Sequence, residues 1–161
     1  MGAHRFDDGI QQDFNEPIAE AFLSDHIAYL NPPGACPAQG LYSHAARVRG
    51  GTTHYVAGQL AVGADGEVVG VGDFDRQFAQ VFANLGAVLK GLSCDFNNVA
   101  KFTTYLVHSQ DIEKFMRARA SLFPKLFKSD LYPPNTLLII DRLIKEPFLI
   151  EVEAVVSAPD T

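Results

Sequence analysis

The chain has 161 residues, 47% of them hydrophobic and 20% charged, with a formal charge of −6. That length suits one domain around a single core, which at this size buries roughly 70% of the surface of the unfolded chain. No apolar run nears the roughly 18 residues that span a bilayer, and the acidic balance argues against a protein built to grip nucleic-acid phosphates. Neither a membrane nor nucleic acid is an expected partner. With no apolar h-region after Met1, the expected location is the cytoplasm.

Along the chain, Asn15-Glu16-Pro17 predicts a helix start, with Asn15 as N-cap and Pro17 in the first turn. Ile18, Ala21, Phe22 and Leu23 then lie on one side of a helix reaching Tyr29. The Pro/Gly cluster from Asn31 to Pro37 separates an N-terminal extension, 1–38, from a main body, 39–161. Two short β-rich runs, Ser43 to Arg49 and Thr53 to Gly58, flank Gly50-Gly51 and predict a hairpin, and Ala64-Asp65-Gly66 marks a second turn. From Asp73, Phe74, Phe78, Val81, Phe82, Leu85, Val88, Leu89 and Leu92 recur at steps of three and four, the pattern of an amphipathic helix capped by Asp73 and ending near Gly91.

Lys101 to Val107 then reads as a strand and Ser109 to Phe123 as a second helix, which Pro124 should end or bend. Thr136 to Ile140 and Phe148 to Val156 close the chain as strands. The order β-β-α-β-α-β-β predicts an α+β domain, one sheet with two helices on one face. Leu137, Ile139, Ile150 and Val152 are read as covering both faces of that sheet, so the second face is expected to be covered by association.

The chemical residues are sparse. The five histidines form no H-x-H or H-E-x-x-H pattern, and Cys36 and Cys94 are far apart, so no metal site is expected and the cysteines read as idle thiols. There is no G-x-S-x-G elbow and no phosphate loop around Val69-Gly70-Val71-Gly72, so no cofactor is expected either. Glu151 and Glu153 alternate along an otherwise apolar strand and so share one face. Two readings stand: both carboxylates in solvent at a rim, or a carboxylate lining a cleft beside the Pro133-Pro134-Asn135 corner.

Four segments together resemble the Rid (YjgF-like) family, also known as endoribonuclease L-PSP or translation inhibitor. They are Tyr42-Ser43-His44-Ala45, Tyr55-Val56-Ala57-Gly58-Gln59, Lys101 to Leu106, and Tyr132 to Thr136 with the later Ile150 to Ala154. The resemblance implies a chorismate-mutase-like fold with a mixed sheet, a homotrimer, and small-molecule clefts between subunits. In the deaminating members an arginine holds the substrate carboxylate and a last-strand glutamate positions the water that hydrolyses an imine. Glu151 matches the catalytic glutamate, Tyr42 the cleft tyrosine, and Gly58 with Gln59 the loop whose backbone lines the site. Asn135 stands where those deaminases carry the arginine, Ala57 replaces a serine, and Arg119 stands where they tend to have an asparagine.

The function implied is hydrolytic deamination of an imine or enamine, such as a carboxylate-bearing imine, with altered specificity. The alternative is a trimer that binds a small metabolite without turnover. Arg119 is read either as a replacement cation on the opposite side of the cleft from Asn135 or as a solvated helix residue. Ribonuclease action, suggested by the family's common label, finds no supporting residues.

Overall fold

The computed structural model describes residues 26–160. Most of the predicted N-terminal helix lies outside these residues, but its expected end does not: Ile27–Leu30 is a strand, β1, paired antiparallel with β2, Ala45–Val48. The remaining elements are β3 (Thr52–Gln59), α1 (Phe74–Gly91), β4 (Val99–Leu106), α2 (Ile112–Leu126), β5 (Asn135–Ile139) and β6 (Ile150–Ala158). The main sheet has the order β3-β6-β4-β5, with β4 and β5 parallel and the other pairs antiparallel. Both helices pack on one side of it, giving the expected α+β architecture with a mixed sheet.

The helix signals translate directly into structure. Asp73 caps α1 through its carboxylate, which accepts from the Arg76 amide at 3.1 Å, and Phe74, Phe78, Val81, Phe82, Leu85 and Leu89 are buried along one face. Pro124 neither ends nor replaces the last turn of α2, which runs on to Leu126. That turn closes on Phe127, whose amide donates to the Phe123 carbonyl at 3.0 Å. Between sheet and helices, aromatic rings interlock: Phe82 meets Phe78, Phe96, Phe102 and Phe123, and Phe123 also meets Phe127 and Tyr132.

Two strand expectations need correction. The runs on either side of Gly50-Gly51 do not form a hairpin: β2 pairs with β1, and β3 pairs with β6. Both glycines have positive φ, 63° and 82°, and at Gly51 a side chain would collide with the Ala158 carbonyl and the His26 ring. The pair therefore turns the chain from one sheet into another beneath the end of β6.

Leu137, Ile139, Ile150 and Val152 do not cover both faces. Leu137 and Val152 both sit opposite Thr104, and Ile139 and Ile150 opposite Leu106, so all four lie on the helix-facing side. The second face is carried by Tyr55 and Val155, by Leu138 and Tyr105, and by Thr103, Glu151 and Glu153.

Gln77 ties the layers together. Fully buried on α1, it donates to the Gly70 and Pro147 carbonyls at 3.1 and 2.6 Å and accepts from the Leu149 amide at 2.8 Å, one residue before β6. Gln77→Ala strands these backbone groups without partners. The expected loss is about 3 kcal/mol, read as a lowered urea midpoint with an unchanged slope.

Candidate functional site

Strand β6 is hydrogen-bonded on both sides, and its side chains alternate: Ile150, Val152, Ala154 and Val156 are buried towards the helices, whereas Glu151, Glu153 and Val155 point the other way. Glu151 is half-buried on that second face. Burial first, and the neighbouring Glu153 charge second, push its carboxyl above the usual carboxylate range. Opposite it on β4 stands Tyr105, whose phenol is raised by burial, then by the charge of Glu153 and a hydrogen bond to it, then by Glu151.

The backbone beside Glu151 is shaped by a bulge in β3. Val56 pairs with Ala154 and Gln59 with Val152, so three steps on one strand face two on the other. The bulge brings Gly58 against the Glu151 side chain so closely that a Cβ there would overlap the carboxylate. Only glycine leaves room for the Glu151 carboxylate in this position. Gln59 folds back on the same loop, its amide donating to the Ala57 carbonyl at 3.0 Å.

Tyr42 and Asn135 lie elsewhere. Together with Ser43, His44, Ala100, Lys101 and neighbouring residues they line an open cavity of about 560 Å³ between the β1-β2 ribbon and the start of β4 and β5. Asn135 sits opposite Phe102 on the helix-facing side, and its Oδ1 accepts from the buried Thr104 hydroxyl at 3.0 Å, which leaves the amide nitrogen to donate. Glu151 is opposite Tyr105, three residues further along β4 and on the other face, about 10 Å away at the rise of a strand. Within the chain, then, Glu151, Gly58 and Gln59 form one group and Tyr42 with Asn135 another.

Arg119 is not a solvated helix residue. It is 2% exposed, and its guanidinium carbon lies 5.0 Å from the Phe115 ring centre and 5.8 Å from that of Phe123. Its Nη2 donates to the Met116 sulfur at 3.2 Å and its Nε has no hydrogen-bond partner. Burial lowers its pKa to about 10, partly offset by Tyr42.

The family described as Endoribonuclease L-PSP matches residues 33–158. The chain belongs to the Rid family. Human 2-iminobutanoate/2-iminopropanoate deaminase is 32% identical over 129 residues, 80% of this chain and 86% of that protein. Among solved structures, the Rid-family protein YyfB of Yersinia pestis is 29% identical with a TM-score of 0.74, covering 83% of this Rid chain and all of its own. RidA of an Antarctic Psychrobacter is 28% identical with a TM-score of 0.57, over 77% and 94% of the two chains.

Tyr105, Lys101 and Ser43 carry no individual mark in the Rid sequence that sets them apart as site residues. Tyr105 has a readable signal, since strict alternation along β4 places Lys101, Thr103 and Tyr105 on one face. Nothing local marks Tyr105 as the partner across from Glu151, which follows only from strand order.

The Gly58 approach yields a test. Gly58→Ala forces the Glu151 carboxylate off the bulge into solvent, and the side chain's flexibility makes this inexpensive for the fold. The Glu151 pKa, followed by NMR titration of its side-chain carbon, should fall back towards the ordinary value of about 4.3 while the melting temperature changes little.

Proposed function

We propose that this Rid protein hydrolyses a small imine or enamine to a carbonyl compound and ammonia, in a cleft completed by a second copy of the chain. The observation that carries the reading is Glu151: a half-buried carboxyl, raised in pKa, turned away from the core and seated on the bulged backbone of Gly58. A carboxyl poised nearer neutrality takes and returns a proton more readily than an ordinary glutamate. The similarity to the human 2-iminobutanoate/2-iminopropanoate deaminase supports the reaction class.

The chemistry balances with water alone. Glu151 takes a proton from water as the water oxygen bonds to the imine carbon, and the C=N electron pair moves to nitrogen. The protonated Glu151 returns its proton to that nitrogen. The resulting carbinolamine then gives its hydroxyl proton to Glu151, which passes it to the nitrogen as C=O forms and C–N breaks, and ammonia leaves. The Gly58-Gln59 backbone borders the reacting carbon in this scheme, and Tyr42 with Asn135 holds the rest of the substrate from the adjoining subunit.

The separation of the two groups within one protomer favours a shared cleft. So does the second face of the sheet, where Tyr55 is 84% exposed beside Val155. An aromatic side chain open to this extent on a half-apolar face suits burial against other copies, in the homotrimer expected of the family. Light scattering on the purified chain should give the mass of three chains.

The catalytic test generates 2-imino acids in situ and traps what remains with semicarbazide. The protein should speed their decay and ammonia release, and Glu151→Gln should abolish the effect. No acceleration across imines of short and branched side chains would refute the reading. The pH profile adds a signed prediction. Activity needs Glu151 ionised to accept the proton, so kcat/KM rises with pH through its raised pKa. Glu153→Gln removes a like charge, lowers that pKa, and should move the rising limb to lower pH.

A further inference from the structure

The two helices leave a groove between them on their outer side. About 670 Å³ of open space lies over the rings of Phe78, Phe82 and Phe96, because α1 lines it only with Ala79, Ala83 and Gly86 beside them. Leu122 and Leu126 form the α2 wall, and the polar lining residues, Asp75, Arg117 and Ser121, are all exposed at the rim. Neither the Glu151 group nor the Tyr42-Asn135 group touches this groove. Its floor suits an apolar side-chain face and offers no polar group to orient a small ligand.

The described chain begins close to one end of the groove. His26 Nε2 lies 3.1 Å from the Ser157 carbonyl oxygen, which also accepts from the Asn98 side-chain amide at 3.3 Å. Asn98 ends the short turn Phe96–Asn98, and Phe96 is part of the groove floor. Tyr29 fastens the same junction, its hydroxyl donating to the Val99 carbonyl at 2.7 Å. The four residues from Phe22 to His26 reach roughly 14 Å when extended, comparable with the two side chains and single turn that separate His26 from Phe96.

The sequence upstream of His26 matches the groove in pattern, length and charge. Ile18, Ala21 and Phe22 recur at the three-and-four spacing by which an amphipathic helix seats in an apolar groove. From Asp75 to Gly86 the groove runs roughly 16 Å at the rise of a helix, and Glu16 to Ser24 would fill roughly 13 Å of it. The charged residues from Gly9 to Asp25 are Asp13, Glu16, Glu20 and Asp25, all acidic. The α2 edge is basic: Arg117 and Lys125 are exposed there, and Lys128 is held beside Phe96 by its amide donating to Asn97 Oδ1 at 3.0 Å.

We infer that residues 15–25 dock as a helix in the α1-α2 groove of their own chain, with Ile18, Ala21 and Phe22 over the phenylalanine rings and the carboxylates along the basic edge of α2. The short tether favours the chain's own groove over that of a second copy, because it holds the segment at an effective concentration in the millimolar range. The inference is independent of the reaction proposed above.

The test is photocrosslinking in the full chain, with p-benzoylphenylalanine in place of Phe22. Irradiation should give a product of single-chain mass in which the label is attached to peptides of α1 around Ala83 or of α2 around Ser121 and Leu122. Ala83→Trp fills the groove from an exposed helix position and should lower that product by on the order of tenfold, while circular dichroism and the melting curve stay near wild type. Should Ala83→Trp fail to fold, Ser121→Glu decides, since it sets a carboxylate in the seat of an acidic segment and should lower the product likewise. Attachment at single-chain mass to peptides outside the groove, or a yield indifferent to the folded blocking variant, overturns the inference. A product of two-chain mass alone also overturns it, and assigns the groove to a second copy instead.

Discussion

The two-sidedness of β6 is the constraint on which the rest of the structure depends. A strand hydrogen-bonded on both edges has no freedom to rotate, so each residue is committed to one face, and a slip of one residue would send Glu151 and Glu153 into the aromatic core. Ile150, Val152, Ala154 and Val156 make that slip prohibitive, because all four are buried against the helices. The packing of the hydrophobic face thereby sets the position of the carboxylates on the other. The buried core and the carboxylates share one strand without sharing any side chains.

The bulge in β3 is the local departure that this rigidity permits. A regular β3 would run past Glu151 at ordinary strand spacing; one extra residue folds Gly58 onto the carboxylate and shields it from water on one side. Shielding, with Glu153 as a like charge on the same face, raises the Glu151 pKa. The linked effect on stability has a definite sign. A carboxyl whose folded pKa is raised contributes fully below its unfolded value, and the contribution is lost as pH rises through the folded one. The site therefore costs the fold some stability at neutral pH, where the core must supply it.

What is legible in the amino-acid sequence follows from period. The three-and-four spacing from Phe74 to Leu89 and the alternation of Ile150 to Val156 each encode a face, so α1 and the shared face of Glu151 and Glu153 can be read from residue order alone. Pairing is not encoded in this way. Gly50-Gly51 announces a reversal but not its partner: β2 pairs back with the preceding β1, whereas β3 pairs with β6 near the end of the chain. β1 is hidden for a similar reason: Ile27–Leu30 is only four residues long and is held by long-range contacts, including the Tyr29 hydroxyl donating to the Val99 carbonyl at 2.7 Å. Arg119 is partly legible. It falls four residues after Phe115 and four before Phe123, in the middle of the buried stripe of α2, so its burial follows from the helical repeat even though its lack of a carboxylate does not.

Arg119 also gives a physical reason for asparagine at 135. Asn135 shares the helix-facing side of the sheet with Phe102, whose ring packs on Phe123 beside Arg119. A second guanidinium there would add a like charge to a region of low polarity in which, among the described residues, no carboxylate pairs with the first. Asparagine keeps a donor for the cavity, satisfies the buried Thr104 hydroxyl through its carbonyl oxygen, and adds no charge. The residue at 135 and the residue at 119 are thus one electrostatic choice made at two positions: the layer accommodates a single cation, and in this chain it is carried by the helix.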